Sequence, residues 1–160
     1  MMDDFDASQG KTAGDLGREA LWFTLNTIFA MLVLAAIVIA FWIAHTDPDA
    51  INPKWVATIL AFFIPMIVGF ALMRARPDNT AKYIWISAML LFSIVCVWVL
   101  DLPTGNGLCE HCGPVDKLYR TFFDFNHGSG LMGGDGVLVG FWMPLSMIGY
   151  AIGAKLALDE

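Results

Sequence analysis

Four long stretches of this sequence contain no Asp, Glu, Lys, Arg or His, and they constrain the fold more than any other feature. A helix needs about 20 apolar residues to cross roughly 30 Å of hydrocarbon. Helices of a water-soluble bundle would instead show a polar stripe, because one face of each helix meets water. We therefore predict an all-α integral membrane protein with four transmembrane helices, over about 21–44, 55–73, 83–100 and 137–157.

The composition supports membrane insertion and narrows the set of partners. The chain is 58% hydrophobic and 15% charged, whereas a soluble domain has about 45–50% apolar and about 25% charged residues. The net charge of −6 comes without a basic cluster, which argues against nucleic-acid binding. The partners expected from the sequence are membrane lipid and other membrane subunits.

The amino-terminal sequence is acidic where a secretory signal peptide would be basic. Asp3, Asp4 and Asp6 occupy this region, so we expect the first span to remain in the mature protein. The expected organisation is a polar N-terminal tail over 1–20 followed by a four-helix transmembrane domain over 21–158.

The distribution of Lys and Arg predicts the orientation, because cytoplasmic loops carry the excess of positive charge. With both termini in the cytoplasm, that side carries Lys11, Arg18, Arg74, Arg76, Lys82 and Lys155. The other side then carries only Lys54, Lys117 and Arg120. We predict a plasma or inner membrane protein with cytoplasmic termini and the long connection over 101–136 outside.

The four spans offer little chemistry of their own. Ionisable residues within spans usually mark proton relays and ion pathways, and the uncharged stretches contain none. No haem, nucleotide or pigment motif is evident in the sequence. Asn26 is the most polar residue inside a span, and interfacial water, an interhelical hydrogen bond or a ligand could each satisfy its amide.

Small residues four apart in the fourth span predict a helix-packing face. Gly149, Gly153 and Ala157 repeat at this spacing, which allows two helix backbones to approach closely in lipid. The neighbour could be a helix of the same chain or of a partner.

The connection over 101–136 contains a C-x-x-C pair, Cys109 and Cys112, with three possible roles. A structural disulfide is favoured on an oxidising side of the membrane. A redox-active pair is the second role, although Cys96 alone remains for a relay. The third is a metal site, in which His111 or His127 would add nitrogen ligands to the two thiolates. A c-type haem is excluded because Gly113 follows the pair where His is required.

An amphipathic helix is predicted over about 114–125, with Pro114 at its first position. Its apolar residues recur at helical spacing and are Val115, Leu118, Tyr119, Phe122 and Phe123. Such a helix rests on the membrane interface or docks against a partner subunit.

These features favour a non-catalytic four-span accessory subunit of a larger membrane complex, for example a respiratory or photosynthetic one. The alternative is an outer-surface protein that acts through Cys109 and Cys112 by thiol–disulfide exchange or metal handling.

Overall fold

Helices account for nearly all of the chain that the structure describes. This computed structural model describes residues 13–44, 51–101, 113–123 and 141–159, apart from the side chains at 42, 51–54, 120 and 121. The five α-helices within these ranges are α1 (Ala13–Ala44), α2 (Ile51–Ala75), α3 (Ile84–Asp101), α4 (Pro114–Phe122) and α5 (Trp142–Asp159). A 3-10 turn over Ala81–Tyr83 leads into α3.

Three of these helices are long and apolar enough to cross a membrane, over Ala13–Phe41, Trp55–Ala75 and Ala81–Asp101. Helices suit this environment because each one satisfies its backbone hydrogen bonds internally. The three correspond to the first three predicted spans, and they indicate a membrane-embedded, all-helical protein. α1 begins well before the apolar stretch, so part of the expected N-terminal tail is helical.

α5 differs from the other long helices in being less apolar, and it is not among these three. Nine of its 18 residues are buried, so neighbouring helices rather than lipid surround much of its surface. A helix in this position can carry Ser146 and Tyr150 where a lipid-facing helix would carry Leu or Ile. The fourth span consequently stays a prediction, and residues 137–140 of it lie outside the described ranges.

α5 is the central helix of the bundle and contacts α1, α2 and α3. It runs parallel to α2, since Gly149 lies against Phe62 and Gly153 lies one turn further along against Met66. α3, which lies between α2 and α5 in the sequence, runs in the opposite direction to both. The parallel pair of α2 and α5 therefore forms the structural core.

The α2–α5 contact is close because glycines lie on both sides of it. A Cβ atom added at Gly153 would collide with the carbonyl oxygen of Met66, and one at Gly149 with that of Phe62. From the other side, a Cβ at Gly69 would collide with the carbonyl oxygen of Tyr150. Close backbone approach supplies the van der Waals contact that holds helices together in lipid.

The matching face of α2 was not predicted from the sequence. Apart from Thr58, its buried residues repeat every four positions and are Ala57, Ala61, Pro65, Gly69 and Met73. This run of mostly small residues could have been found by the same spacing rule that identified Gly149 and Gly153. Ala157, the third residue of the predicted α5 face, is half-buried and packs against the core around Met73 and Tyr150.

Candidate functional site

A polar network joins α1, α5 and the α2–α3 turn at one end of the bundle, and we call it the polar junction (Asn26, Asp78, Thr80 and Tyr150). The Asp78 carboxylate accepts a hydrogen bond from Asn26 Nδ2 at 2.8 Å. The hydroxyl of Tyr150 in turn donates to Asn26 Oδ1 at 3.2 Å. Asn26 thus links a carboxylate from the turn with a phenol from the central helix.

The local sequence of the turn places Asp78 where it can serve this network. Pro77 disfavours helical backbone in the preceding residue, so α2 ends at Ala75. Asp78 then accepts hydrogen bonds from Thr80 through the backbone N–H at 3.0 Å and through Oγ1 at 2.8 Å. Asp commonly stabilises turns in this way, and here the same carboxylate also reaches Asn26.

The amide of Asn26 is fully used although it lies within an apolar span. Its Nδ2 donates to the Trp22 carbonyl at 3.0 Å as well as to Asp78, and its side chain is buried. Of the three possibilities that the sequence left open, the structure therefore has an interhelical hydrogen bond. Asp78 and Tyr150 were not identified from the sequence, because they approach Asn26 only in the folded bundle.

A cleft opens beside the polar junction, between the first turns of α1 and the α2–α3 turn. Its outer cavity has a volume of about 460 Å³ and is lined by charged and polar residues, among them Asp15, Arg18, Glu19 and Asn79. Its inner cavity, of about 310 Å³, is lined by Leu25, Phe29, Leu72 and Met73 along with Asn26. Trp22, Arg76 and Asp78 line both cavities, so the cleft passes from a polar to an apolar environment.

Arg76 is held at the junction of the two cavities by an aromatic ring. Its guanidinium carbon lies 3.9 Å from the centre of the Trp22 ring, a geometry typical of cation–π contact. The contact fixes the side chain and leaves the guanidinium N–H groups available as donors.

The remaining polar side chains of the spans bond within the bundle. Trp142 Nε1 donates to Thr58 Oγ1 at 2.8 Å, and the hydroxyls of Thr27 and Ser87 are in contact at 3.3 Å. Thr24 and Ser93 donate to carbonyls one turn earlier in their own helices. Among the described residues, Ser146 Oγ is the buried side-chain polar atom without a partner. Of these groups, the Trp142–Thr58 and Thr27–Ser87 contacts link neighbouring helices.

A separate, apolar groove lies between the other ends of α1 and α2. Its volume is about 760 Å³, and residues such as Val33, Ile37, Val56 and Leu60 line it. Among the described residues, no charged side chain lines its walls. In a bilayer, such a groove accepts acyl chains or an apolar side-chain surface.

α4 begins and ends near the residues predicted for the amphipathic helix and packs on the end of α3. Leu118 and Phe122 face the bundle, with Phe122 only 1% exposed against Val99. Lys117 Nζ donates to the Leu100 carbonyl at 3.1 Å, which satisfies an unpaired acceptor at the C-terminal end of α3. Asp116 accepts from the Gly113 N–H at 3.1 Å and caps the start of α4.

An exposed aromatic stripe is formed by Val115 and Tyr119 of α4 together with Phe123, the residue that directly follows the helix. They are 77%, 59% and 52% exposed, respectively. The rings of Tyr119 and Phe123 stack with centres 6.2 Å apart, so the stripe is a continuous surface. The five predicted docking residues therefore divide into two that fix the helix, two that are mainly exposed, and Phe123, which is half exposed and also lies 5.8 Å from the ring centre of Phe141.

The cysteine and histidine candidates, Cys109, His111, Cys112 and His127, lie outside the described residues. Their disulfide, redox and metal interpretations stay predictions. Cys96 is a free, half-buried thiol in α3. Within the described ranges, no three His, Cys, Asp or Glu side chains come together as a metal site.

Comparison with known proteins gives no relative: no family model, curated protein or solved structure matches the chain. The class of this protein therefore rests on its own fold, which is an all-helical bundle with three membrane-spanning candidates. Its described features are a tightly packed α2–α5 pair, a polar junction and an anchored helix with an exposed aromatic stripe.

Proposed function

We propose that this chain is a non-catalytic accessory subunit of a larger membrane assembly, which it joins through α4. The observation that carries the proposal is the exposed aromatic stripe on a helix that is otherwise fixed to the bundle. A four-span arrangement with cytoplasmic termini would place α4 on the outer side of the membrane.

The anchoring of α4 is the first support for docking. Phe122 and Lys117 attach it to the end of α3 through packing and a hydrogen bond, and Asp116 caps its start. A helix held in this way presents its remaining side chains in a fixed arrangement. Such preorganisation lowers the entropy lost on association.

The nature of the uncovered residues is the second support. Tyr and Phe are enriched in the buried centres of protein interfaces, and apolar area left in water costs about 25 cal/mol per Å². A covered stripe is thus more stable than an exposed one. A partner subunit covers Val115, Tyr119 and Phe123 in the arrangement that we propose.

The use of polar groups inside the bundle is the third support. Thr27, Thr58 and Trp142 bond to neighbouring helices, and the polar junction uses Asn26 and Asp78 internally. Side chains used in this way stabilise the bundle. A transporter would instead direct such groups towards a substrate path.

The test is purification of the tagged full-length chain from its native membrane in mild detergent, followed by native mass analysis. We expect membrane proteins in fixed stoichiometry with the wild-type chain. The double variant Val115→Asp/Tyr119→Asp should lose them, because two buried carboxylates would stay unpaired in the interface. Its thermal unfolding should match that of the wild type, since neither side chain packs in the core.

The control variant is Asp101→Lys, which changes an exposed charge at the end of α3 and leaves the stripe intact. It should retain the co-purifying subunits. A monomeric wild-type chain, or equal retention by the stripe variant and the control, would refute docking through α4.

A further inference from the structure

We propose that the cleft beside the polar junction is a binding site for one phospholipid, with the phosphate at Arg18 and Arg76 and an acyl chain in the inner cavity. This site is separate from α4 and does not depend on the proposed docking function. It is defined by two connected cavities of opposite character, which together fit an amphiphile.

The change from polar to apolar walls gives the class of ligand. The outer cavity is bounded by charged residues of α1 and the turn, whereas Leu25, Phe29 and Leu72 bound the inner one. A soluble anion would leave the inner cavity empty, and a hydrocarbon would leave the charged walls unused. A phospholipid uses both, because its phosphate and its acyl chains are covalently joined.

The position of the cleft along the spans agrees with this ligand. Trp22 lies between the two cavities, and Trp side chains favour the headgroup level of a bilayer. Residues Leu25 and Phe29 follow Trp22 into the apolar part of α1. The cleft therefore begins at headgroup level and runs into the hydrocarbon region, parallel to lipid chains.

The state of the charged groups on the wall indicates that the headgroup contact is a phosphate. Asp78 accepts hydrogen bonds from Asn26 and Thr80, and Asp15 and Glu19 have partners of their own. The guanidinium groups of Arg18 and Arg76, in contrast, have no hydrogen-bond or ion-pair partner among the described residues. The N–H groups of these two guanidinium side chains are therefore available to a ligand, and their planar arrangement matches phosphate oxygens in geometry.

Folding creates this pair of cations, since Arg18 and Arg76 are far apart in the sequence. The sequence has no basic cluster, and its net charge of −6 disfavours general attraction of anionic lipid. A specific site of two arginines would hold a phosphate through directed, charge-assisted hydrogen bonds rather than through the overall charge of the protein. The result would be retention of single phospholipid molecules without broad binding to an anionic surface.

The test uses delipidated full-length protein in detergent and native mass spectrometry with three probes. Phosphatidylglycerol carries the phosphate and the chains, diacylglycerol with the same chains lacks the phosphate, and inorganic phosphate lacks the chains. We expect one tightly bound phosphatidylglycerol and weaker binding of both other probes. Tight diacylglycerol binding would refute the role of the arginines, and displacement of the lipid by equimolar inorganic phosphate would refute the role of the inner cavity.

Variants at the headgroup contact have a matched control in the same turn. Arg76→Gln should weaken phosphatidylglycerol binding about tenfold, which corresponds to about 1.4 kcal/mol. Arg76→Lys should restore part of the loss, because it keeps the charge and loses the planar fork. Arg74→Gln removes an equal charge outside both cavities and should bind as the wild type does. Equal affinities of Arg74→Gln and Arg76→Gln for phosphatidylglycerol would overturn the proposal.

Variants at the inner cavity test the acyl chain independently of charge. Leu25→Trp should fill the cavity and reduce lipid binding, whereas Leu32→Trp adds the same bulk on an exposed part of α1 away from it. Both positions are exposed, so both variants should unfold at the wild-type temperature. Unchanged binding by Leu25→Trp would show that no chain occupies the inner cavity.

Discussion

The side chain of Asn26 is buried, with a relative exposure of 8%. Because water does not reach it freely, its amide needs hydrogen-bond partners from neighbouring residues. A buried polar group without a partner costs about 1–3 kcal/mol. Asp78 and Tyr150 supply the long-range partners, and the Trp22 carbonyl supplies the local one. The polar junction therefore contributes to the association of α1 with α5 and with the α2–α3 turn.

The substitution Asp78→Ala tests this contribution. It removes the acceptor of three hydrogen bonds, from Asn26 and from the N–H and hydroxyl of Thr80. We expect a loss of about 1–3 kcal/mol in the free energy of unfolding, visible as a lower midpoint of thermal unfolding in detergent. Asn79→Ala, at the exposed next position, should have little effect. Similar unfolding midpoints for the two variants would contradict a stabilising role for the junction.

The pair Cys109 and Cys112 carries the second prediction at this scale. An oxidising location would join the two thiols as a disulfide with no catalytic turnover. The stabilisation should be well below the about 2–5 kcal/mol of a typical native disulfide, because the closed ring is short. Alkylation of the unreduced, unfolded protein followed by intact-mass measurement should modify one thiol, that of Cys96. Three alkylated thiols would refute the disulfide, and bound metal would favour coordination instead.

At the scale of helices, α2 and α5 pack closely because glycines, which have no side chain, lie at their contact. The carbonyl oxygen of Met66 occupies the space next to Gly153, and that of Phe62 the space next to Gly149. A backbone atom cannot change rotamer to make room for a new methyl group. The two helices would have to move apart at their contact.

Gly153→Ala should therefore destabilise the bundle although Ala is the better helix former. Inserting a methyl group into a well-packed site costs about 1–3 kcal/mol. Gly17→Ala is the matched control, since nothing lies within 4 Å of a Cβ added there, and helix propensity should make it neutral or slightly stabilising. The comparison requires only the unfolding midpoints of the two variants. Equal midpoints would mean that α2 and α5 can move apart at this contact without a loss of stability.

The attachment of α4 to α3 can be tested by comparing substitutions at two adjacent phenylalanines. Phe122→Ala should detach α4 from α3, because Phe122 is buried between Phe92 and Val99, with ring centres of Phe92 and Phe122 4.9 Å apart. If α4 opens as a local unit, the effect should appear as faster hydrogen exchange of amides 115–122 by about tenfold or more. Phe123→Ala should raise this exchange much less, because Phe123 is 52% exposed and its ring contacts the bundle only at Phe141 among the described aromatic pairs. Equal exchange in both variants would contradict the anchoring of α4.

The helices could be predicted from the sequence more completely than the contacts between them. Long apolar stretches and Pro114 determine where helices lie, since both act locally on the backbone. The polar junction, in contrast, depends on Asn26, Asp78 and Tyr150 meeting across the bundle. The same limit applies to α5, whose burial explains its moderate apolarity but cannot be read from periodicity. Which of the α4 apolar residues stay exposed also depends on its placement against α3.

For the whole molecule, the directions of the helices determine which helix ends lie on the same side of the bundle. α1 and α3 begin at the end that holds the polar junction, and α2 and α5 terminate there, because α2 and α5 are parallel. α5 lies beside α2 from Trp142 at Thr58 to Gly153 at Met66. At about 1.5 Å per residue, its 18 residues extend about 27 Å, close to the hydrocarbon thickness of roughly 30 Å. The length of α5 is thus compatible with the predicted fourth span, although α5 is not among the three helices apolar enough to be span candidates.

Single-cysteine labelling tests this topology in intact cells. In a background without Cys96, Cys109 and Cys112, we place cysteines at Asn79, at Asp159 and at Val115. The excess of Lys and Arg at the junction end predicts that this end is cytoplasmic. A membrane-impermeant maleimide should therefore label Val115→Cys in intact cells, and Asn79→Cys and Asp159→Cys only after permeabilisation. Labelling of Asp159→Cys but not Asn79→Cys from outside would exclude the fourth span. Outside labelling of both, with Val115→Cys protected, would keep four spans and reverse the orientation.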